Sequence, residues 1–471
     1  MASTANNSRT AGIWCAEDDN TSAASATLLA PLFQSYTIGE THNQRLPIHR
    51  LPTEVLAMIF RIVTCVETCI HDPYVTVSRT ITLSAVCSYW RMVIINNSTF
   101  WTYIPIRNTP KPHSITSLCL ERSRDSLIDA AAYLTGVDPW HAEKTLPLHV
   151  HRIRTLYISS RKIENVHSVM ECILSSGVPR SLKHLSIKLT PPYHLGIAPS
   201  SILPQSLPEL CESLYGLVKQ LHTLHLRDVS LAPGSYSFDR LQNLLLDRAC
   251  PADVVRVLTS SSDAQSIEVR NLIPGNDLGF PIDRPVVVGS LKRLCLGGIL
   301  DSTTLCKLLE PLPSGPYEME LAMNATSGSW PDTPLGVDML GSLLHKFNIT
   351  RLTLDQALCV KVHTVLQNLP NLHDLNLVRF CLTQPMLAAM TRTYEQESNR
   401  AFPTLRKLRL RNTRIVDYEA FKAMVFSHHI DRIRISHCRL KWNGDTLTTQ
   451  PSPSSPLYEW LSVVVPKVSL A

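Results

Sequence analysis

Along most of this chain the apolar residues fall into one short phrase, apolar-x-x-apolar-x-apolar. It occurs eleven times between residues 153 and 435. The clearest copies are Leu182-Leu185-Ile187, Leu221-Leu224-Leu226, Leu241-Leu244-Leu246, Leu372-Leu375-Leu377, Leu405-Leu408-Leu410 and Ile430-Ile433-Ile435. Ile153-Leu156-Ile158, Leu291-Leu294-Leu296 and Ile349-Leu352-Leu354 share the grammar, while Ala264-Ile267-Val269 and Pro316-Met319-Leu321 are poorer copies. The alternation in each phrase predicts a short strand with one face turned inward. Between strands, Tyr418–Phe426 is one segment with helical spacing, carried by Ala420, Phe421, Met424 and Val425. A single strand-and-helix unit cannot bury its own apolar face, so the units must stack.

The middle residues of successive copies lie about 28 residues apart, the upper end of the leucine-rich-repeat period. Four copies add a later apolar residue that starts the return path: Leu231, Leu382, Ile415 and Leu440. The Asn or Cys that such repeats carry three positions after the last strand apolar is matched strictly only by Cys438. The reading is therefore α/β, a degenerate leucine-rich-repeat solenoid over 151–442 with parallel strands on its concave face and helices on its convex face. Residues 1–45, rich in Ala, Ser, Thr and Asn, read as a disordered tail, 107–150 as a linker or cap, and 443–471, with Thr, Ser and Pro crowded into Thr446–Pro456, as a C-terminal tail.

Residues 46–106 have a different texture. Pro52 suits a first helical turn, with Glu54 just after it, and Leu56, Ile59, Phe60 and Val63 then share a face. A second helical stretch is expected from about Arg79 to Ile95, with Leu83, Val86, Cys87, Trp90 and Val93 on its apolar side, followed by a short piece holding Phe100 and Trp101. The series Leu51-Pro52-x-Glu54-Val55-Leu56-x-x-Ile59-Phe60, then Val86-Cys87-x-x-Trp90-Arg91, then Phe100-Trp101, resembles an F-box, closest to the version common in fungal families. It departs from the shortest F-boxes by extra residues between its halves, Glu67–Ser78 with Pro73 inside.

What the resemblance implies is a non-catalytic substrate receptor of a Skp/cullin/F-box ubiquitin ligase. The helices would dock on a Skp-type adaptor, and through it a cullin, and the repeats would hold a protein substrate. By motif position the adaptor contacts fall at or beside Leu51, Pro52, Leu56, Ile59, Val86, Cys87, Trp90 and Trp101. Independently of any family, about 60 residues cannot bury the apolar faces of both helices among themselves. The alternatives are a helical cap sealed onto the first repeats, a scaffold without ligase function, or a repeat-based regulatory binding module.

Charge sharpens one end of the array. The whole chain carries 45 Lys and Arg against 39 Asp and Glu, a net +6 that argues against a dedicated nucleic-acid protein. Between Ala401 and Trp442, however, ten basic residues face three acidic ones. Lys407, Arg409, Arg411, Arg432 and Arg434 occupy outward strand positions, a candidate substrate-binding surface for an acidic or phosphorylated segment.

Chemistry of other kinds finds little support. No phosphate-cradling G-x-x-x-x-G-K, dinucleotide G-x-G-x-x-G or nucleophile-elbow G-x-S-x-G occurs, and no cofactor is expected. Cys65, Cys69 and His71 lack a second pair at zinc spacing, so no metal is expected either. Near Cys438, the expectation for His428, His429 and His437 is a core thiol beside surface histidines. Ser452-Pro453 and Ser455-Pro456 are short motifs for proline-directed phosphorylation. With no apolar run of about 20 residues, no basic-then-apolar leader and thirteen irregularly spaced cysteines, the chain reads as intracellular, cytoplasmic or nuclear.

Overall fold

The structure is a computed structural model. It describes residues 46–64, 73–107, 113–134, 146–175, 177–190, 215–229, 238, 240–272, 289–298, 308–323, 344–356, 362–392, 403–440 and 455–470. The predicted N-terminal tail, Cys65, Cys69, His71, Leu231 and Ser452-Pro453 lie outside these residues.

Fourteen strands form one sheet in which every neighbouring pair is parallel. In chain order they begin with β1 (Tyr103–Arg107), β2 (Ile128–Leu134), β3 (Ile153–Ser160), β4 (His184–Leu189) and β5 (Thr223–Arg227). Next come β6 (Asn243–Asp247), β7 (Ser266–Arg270), β8 (Arg293–Gly297), β9 (Glu318–Met323), β10 (Ile349–Asp355) and β11 (Asp374–Val378). A two-residue strand, β12 (Cys381–Leu382), precedes β13 (Lys407–Arg411), and β14 (Arg414–Ile415) precedes β15 (Arg432–Ser436). The chain then adds β16 (Arg439–Leu440) and β17 (Lys467–Leu470). The three short strands make a second parallel ladder, where Leu382 aligns with Ile415 and Ile415 with Leu440.

Register follows the repeated phrase. Leu156, Leu185, Leu224, Leu244, Ile267, Leu294 and Met319 lie in one row across β3 to β9. Leu352, Leu375, Leu408, Ile433 and Val468 form the row across β10 to β17. The two rows do not meet: Leu352 pairs with Leu321, and Met319 pairs with Ile349. The copy at 316 is thus phased two residues off the copies after it, and Thr350 bulges out of the ladder between Ile349 and Arg351. A shift of two keeps every side chain on its own face, which is why the fold tolerates it.

The buried side of the sheet and the apolar faces of the helices form one continuous core from Leu56 to Val465. At the end of many strands one residue turns left-handed: Asp228, Arg248, Asn271, Gly298, Arg379, Asn412 and His437, with φ between 52° and 71°. At Asp228, Arg248, Arg379 and Asn412 its N–H then donates to the carbonyl ending the next strand, at 2.8–3.0 Å. This backbone ladder explains how the array holds without regular asparagines. Three positions past the last strand apolar stand Val229, Ala249, Leu272, Phe380, Thr413 and Cys438, all buried. Gly298 alone among the seven is forced by space: a Cβ there would meet Asn271 Cα at 2.4 Å.

Both ends of the sheet exceed the predicted 151–442. β1 and β2 lie before it, so the supposed linker supplies a strand. At the other end, 443–471 is not wholly a tail. A helix over Pro456–Val464 buries Leu457 and Leu461, and β17 then pairs with β15. The Ser and Pro that suggested a loop start that helix: Pro456 sits at its first position and Ser455 Oγ accepts the Tyr458 N–H at 3.3 Å. Among the described residues, no helix is long and apolar enough to cross a membrane.

Candidate protein-interaction site

The N-terminal helices are α1 (Thr53–Thr64), α2 (Pro73–Ser84) and α3 (Ser88–Asn96), flanked by 3-10 turns at Pro47–Arg50 and Ser98–Trp101. The single stretch expected from Arg79 to Ile95 is two helices. Cys87 is extended, with φ −157° and ψ 170°, and its Sγ accepts the Trp90 N–H at 3.5 Å. The Cys-x-x-Trp spacing is therefore an N-cap, since a capping side chain reaches the amide three residues on. Pro73, which interrupts the motif in sequence, opens α2, where its missing N–H costs nothing.

Helix α1 is apolar on two sides. Leu56, Ala57, Phe60 and Thr64 point inward, and Thr64 Oγ1 donates to Phe60 O at 2.9 Å. Met58, Ile59, Ile62 and Val63 form a second stripe facing away, with Ile62 73% exposed. Val75 and Ile81 of α2, Val86 in the α2–α3 turn and Met92 of α3 are exposed too. Met58, Ile62, Val75, Ile81 and Met92 were not among the predicted contact residues. The signal was present in the run Val55–Val63, apolar at every position but Arg61, which marks a helix covered on both sides.

The predicted adaptor residues divide by burial. Pro52, Ile59 and Val86 are exposed; Leu51, Cys87 and Trp90 are half-buried. Leu56 and Trp101 are core residues with 0% and 1% exposure, so of the positions expected at or beside the contact these two lie beneath the surface. Trp101 Nε1 donates to Ile94 O at 2.9 Å, and the Arg122 guanidinium lies 4.5 Å over its ring, so Trp101 ties the helices to the first layer of the sheet. Trp90 packs on Phe60 with ring centroids 4.6 Å apart. Its buried Nε1 finds no acceptor among the described residues.

The open face of the sheet is the second candidate surface. Paired outward positions place Glu268, Cys295, Glu320, Arg351, Asp374, Lys407, Arg432 and Lys467 in one row. In its middle the charges are matched. Glu320 lies 3.1 Å from Arg293 and 2.7 Å from Arg351, and Arg351 also reaches Asp374 at 3.7 Å. The Arg293 and Arg351 cations hold the Glu320 carboxyl below its usual range although burial, the largest single influence, pushes the other way. Gly297 and Ala322 floor a depression of about 320 Å³ there. Beside it, burial pushes the Cys295 thiol up to about 12, with Glu320 adding to the effect, so it stays protonated.

All five predicted cations face outward. Arg409, Arg411, Arg432 and Arg434 are exposed and Lys407 is half-buried. Sequence reasoning missed a sixth, Lys467, because β17 lay within the presumed tail; it pairs directly with Arg432. Near this edge Cys438 is fully buried, its Sγ 3.4 Å from Ser436 O, and His437 is on the surface. His428 is not. It is fully buried, with Nε2 donating to Met390 O at 2.7 Å and Nδ1 accepting the Leu405 N–H at 3.5 Å. Burial pushes its pKa down to about 4.

Among the described residues, no cluster of three His, Cys, Asp or Glu is arranged to hold a metal, and no two of the seven described cysteines are joined in a disulfide. Compared with known proteins, the chain matches no family model and no curated sequence.

Proposed function

We propose that the chain is a substrate-receptor subunit of a Skp/cullin/F-box-type ubiquitin ligase, with an F-box at its N-terminal helices and a leucine-rich-repeat solenoid behind. The observation that carries this reading is the second apolar stripe on α1, Met58, Ile59, Ile62 and Val63, left facing solvent, with Val86 and Met92 exposed as well. A patch of this kind marks an interaction surface. Each aliphatic side chain covered by a partner contributes about 1 kcal/mol or more, and an adaptor groove taking an amphipathic helix would cover several at once. The open face of the sheet would hold the client. Binding is then the chain's whole chemistry: it raises the effective concentration of a client lysine near a thioester carried elsewhere in the complex.

The test is affinity purification of the full chain beside an Ile59→Asp/Ile62→Asp variant. Both side chains point away from the core, so folding is unaffected while adaptor capture is lost. A Skp-type adaptor, with its cullin, is expected from the wild type and at least tenfold less from the variant (about 1.4 kcal/mol). Equal recovery from both defeats the proposal.

A further inference from the structure

The cations at the last strands differ from those in the middle of the sheet in having almost no counter-charge. Arg293 and Arg351 each meet a carboxylate on a neighbouring strand. On β13, β15 and β17 the register instead stacks like on like. Lys407 aligns with Arg432 and Arg432 with Lys467; Arg409 aligns with Arg434; Arg411 lies one step further along. Among the described residues, one carboxylate is paired with these six cations, Asp374, at 3.5 Å from Arg409.

Directly opposed like charges destabilise a parallel or antiparallel pair of strands. Neighbouring strands are about 4.8 Å apart and alternate residues of one strand about 6.6 Å apart, so the six groups share a patch a few strands wide. Such a grid costs stability in the free chain and is relieved only by an anion.

The composition of the patch narrows that anion. Four of the six cations are arginines, whose planar fork takes two oxygens of one phosphate or carboxylate. No aromatic side chain stands at an outward position of β11, β13, β15 or β17, so nucleic-acid bases would find no stacking platform. The positive region also stops at Asp374 and Glu320, which would repel a longer polyanion. We infer that the grid of Lys407, Arg409, Arg411, Arg432, Arg434 and Lys467 is a binding site for a short phosphorylated segment of a protein client. Calling the occupant a client rests on the receptor function proposed above; the anion chemistry does not. Six cations less one carboxylate can neutralise two phosphates of about −1.5 to −2 each. Phosphates on alternate residues of an extended segment match the spacing of Arg432 and Arg434 along β15.

The probe is a fluorescent peptide carrying phosphoserine-glycine-phosphoserine, titrated against the full chain by anisotropy beside its unphosphorylated twin and a uridine oligonucleotide. The phosphopeptide is expected to bind at least about tenfold tighter than either. In Arg432→Gln/Arg434→Gln that preference falls by about tenfold or more, adaptor capture is unchanged, and the melting temperature does not drop because repulsion is removed. Asp374→Asn, which removes the one carboxylate, is expected to tighten phosphopeptide binding roughly twofold. Equal binding of the two peptides, indifference to both substitutions, or preference for the oligonucleotide overturns the inference. A chain that binds the phosphopeptide selectively yet captures no adaptor leaves this site standing and removes the receptor function.

Discussion

The N-terminal helices and the strand array answer the same demand, burial of apolar surface, in different ways. Nine of the thirteen exposed large apolar side chains among the described residues lie between Leu46 and Met92. The array leaves four, Leu127, Leu148, Phe426 and Val463. In the array each unit covers the next, so alternate strand residues vanish into one core and the open face is left mostly to polar groups. In the helices the inner stripe of α1, Val77 of α2 and Val93 and Ile94 of α3 have such neighbours, but the outer stripe of α1 does not. The difference teaches what each region leaves on its surface: grease among the helices, charge on the last strands of the sheet.

The largest effect should come from cutting the link between the regions. Trp101→Ala removes a buried ring, its hydrogen bond to Ile94 O and its contact with Arg122. A loss of about 3–5 kcal/mol is expected, read as a fall in the urea midpoint with the helices unfolding. Were the midpoint unchanged, the helices would be folding independently of the sheet.

Acid should act on the array and spare the helices. His428 has an ordinary pKa of 6.5 when unfolded and about 4 when folded. Between those values the unfolded state binds the extra proton, so stability is complete above about pH 6.5 and declines as pH falls towards 4. The 2.5-unit gap corresponds to about 3 kcal/mol at most. Hydrogen exchange should show residues 403–440 loosening at pH 4.5 before residues 46–101, and His428→Leu should flatten that dependence. Loosening in the reverse order would place the acid-sensitive group elsewhere.

The smallest effect is the most discriminating. Ile62→Gln should change stability by no more than about 0.5 kcal/mol, because the side chain has nothing to leave. A loss above 2 kcal/mol in a melt would mean that the outer stripe is covered by the chain itself, and the contrast between the two regions would disappear.

The strands were legible because a period of two survives any context: Leu408, Leu410, Ile433 and Ile435 could face inward only if Arg409 and Arg434 faced out. The outer stripe of α1 was only half legible. Ile59 and Val63 could be grouped with Leu56 and Phe60 by spacing, but spacing does not say which side of a doubly apolar helix meets the core. Lys467 was hidden for another reason: a four-residue strand after a Ser- and Pro-rich stretch is too short to announce itself.

By itself, then, the amino-acid order determined the alternation, the repeat grammar and the direction of the basic side chains, all local properties of φ, ψ and spacing. The tertiary structure decided which apolar residues have neighbours, that Leu56 and Trp101 lie inside while Ile62 does not, and that Lys407, Arg432 and Lys467 line up. Neighbourhood across strands depends on register and stacking between residues far apart in the chain, and no local pattern contains it.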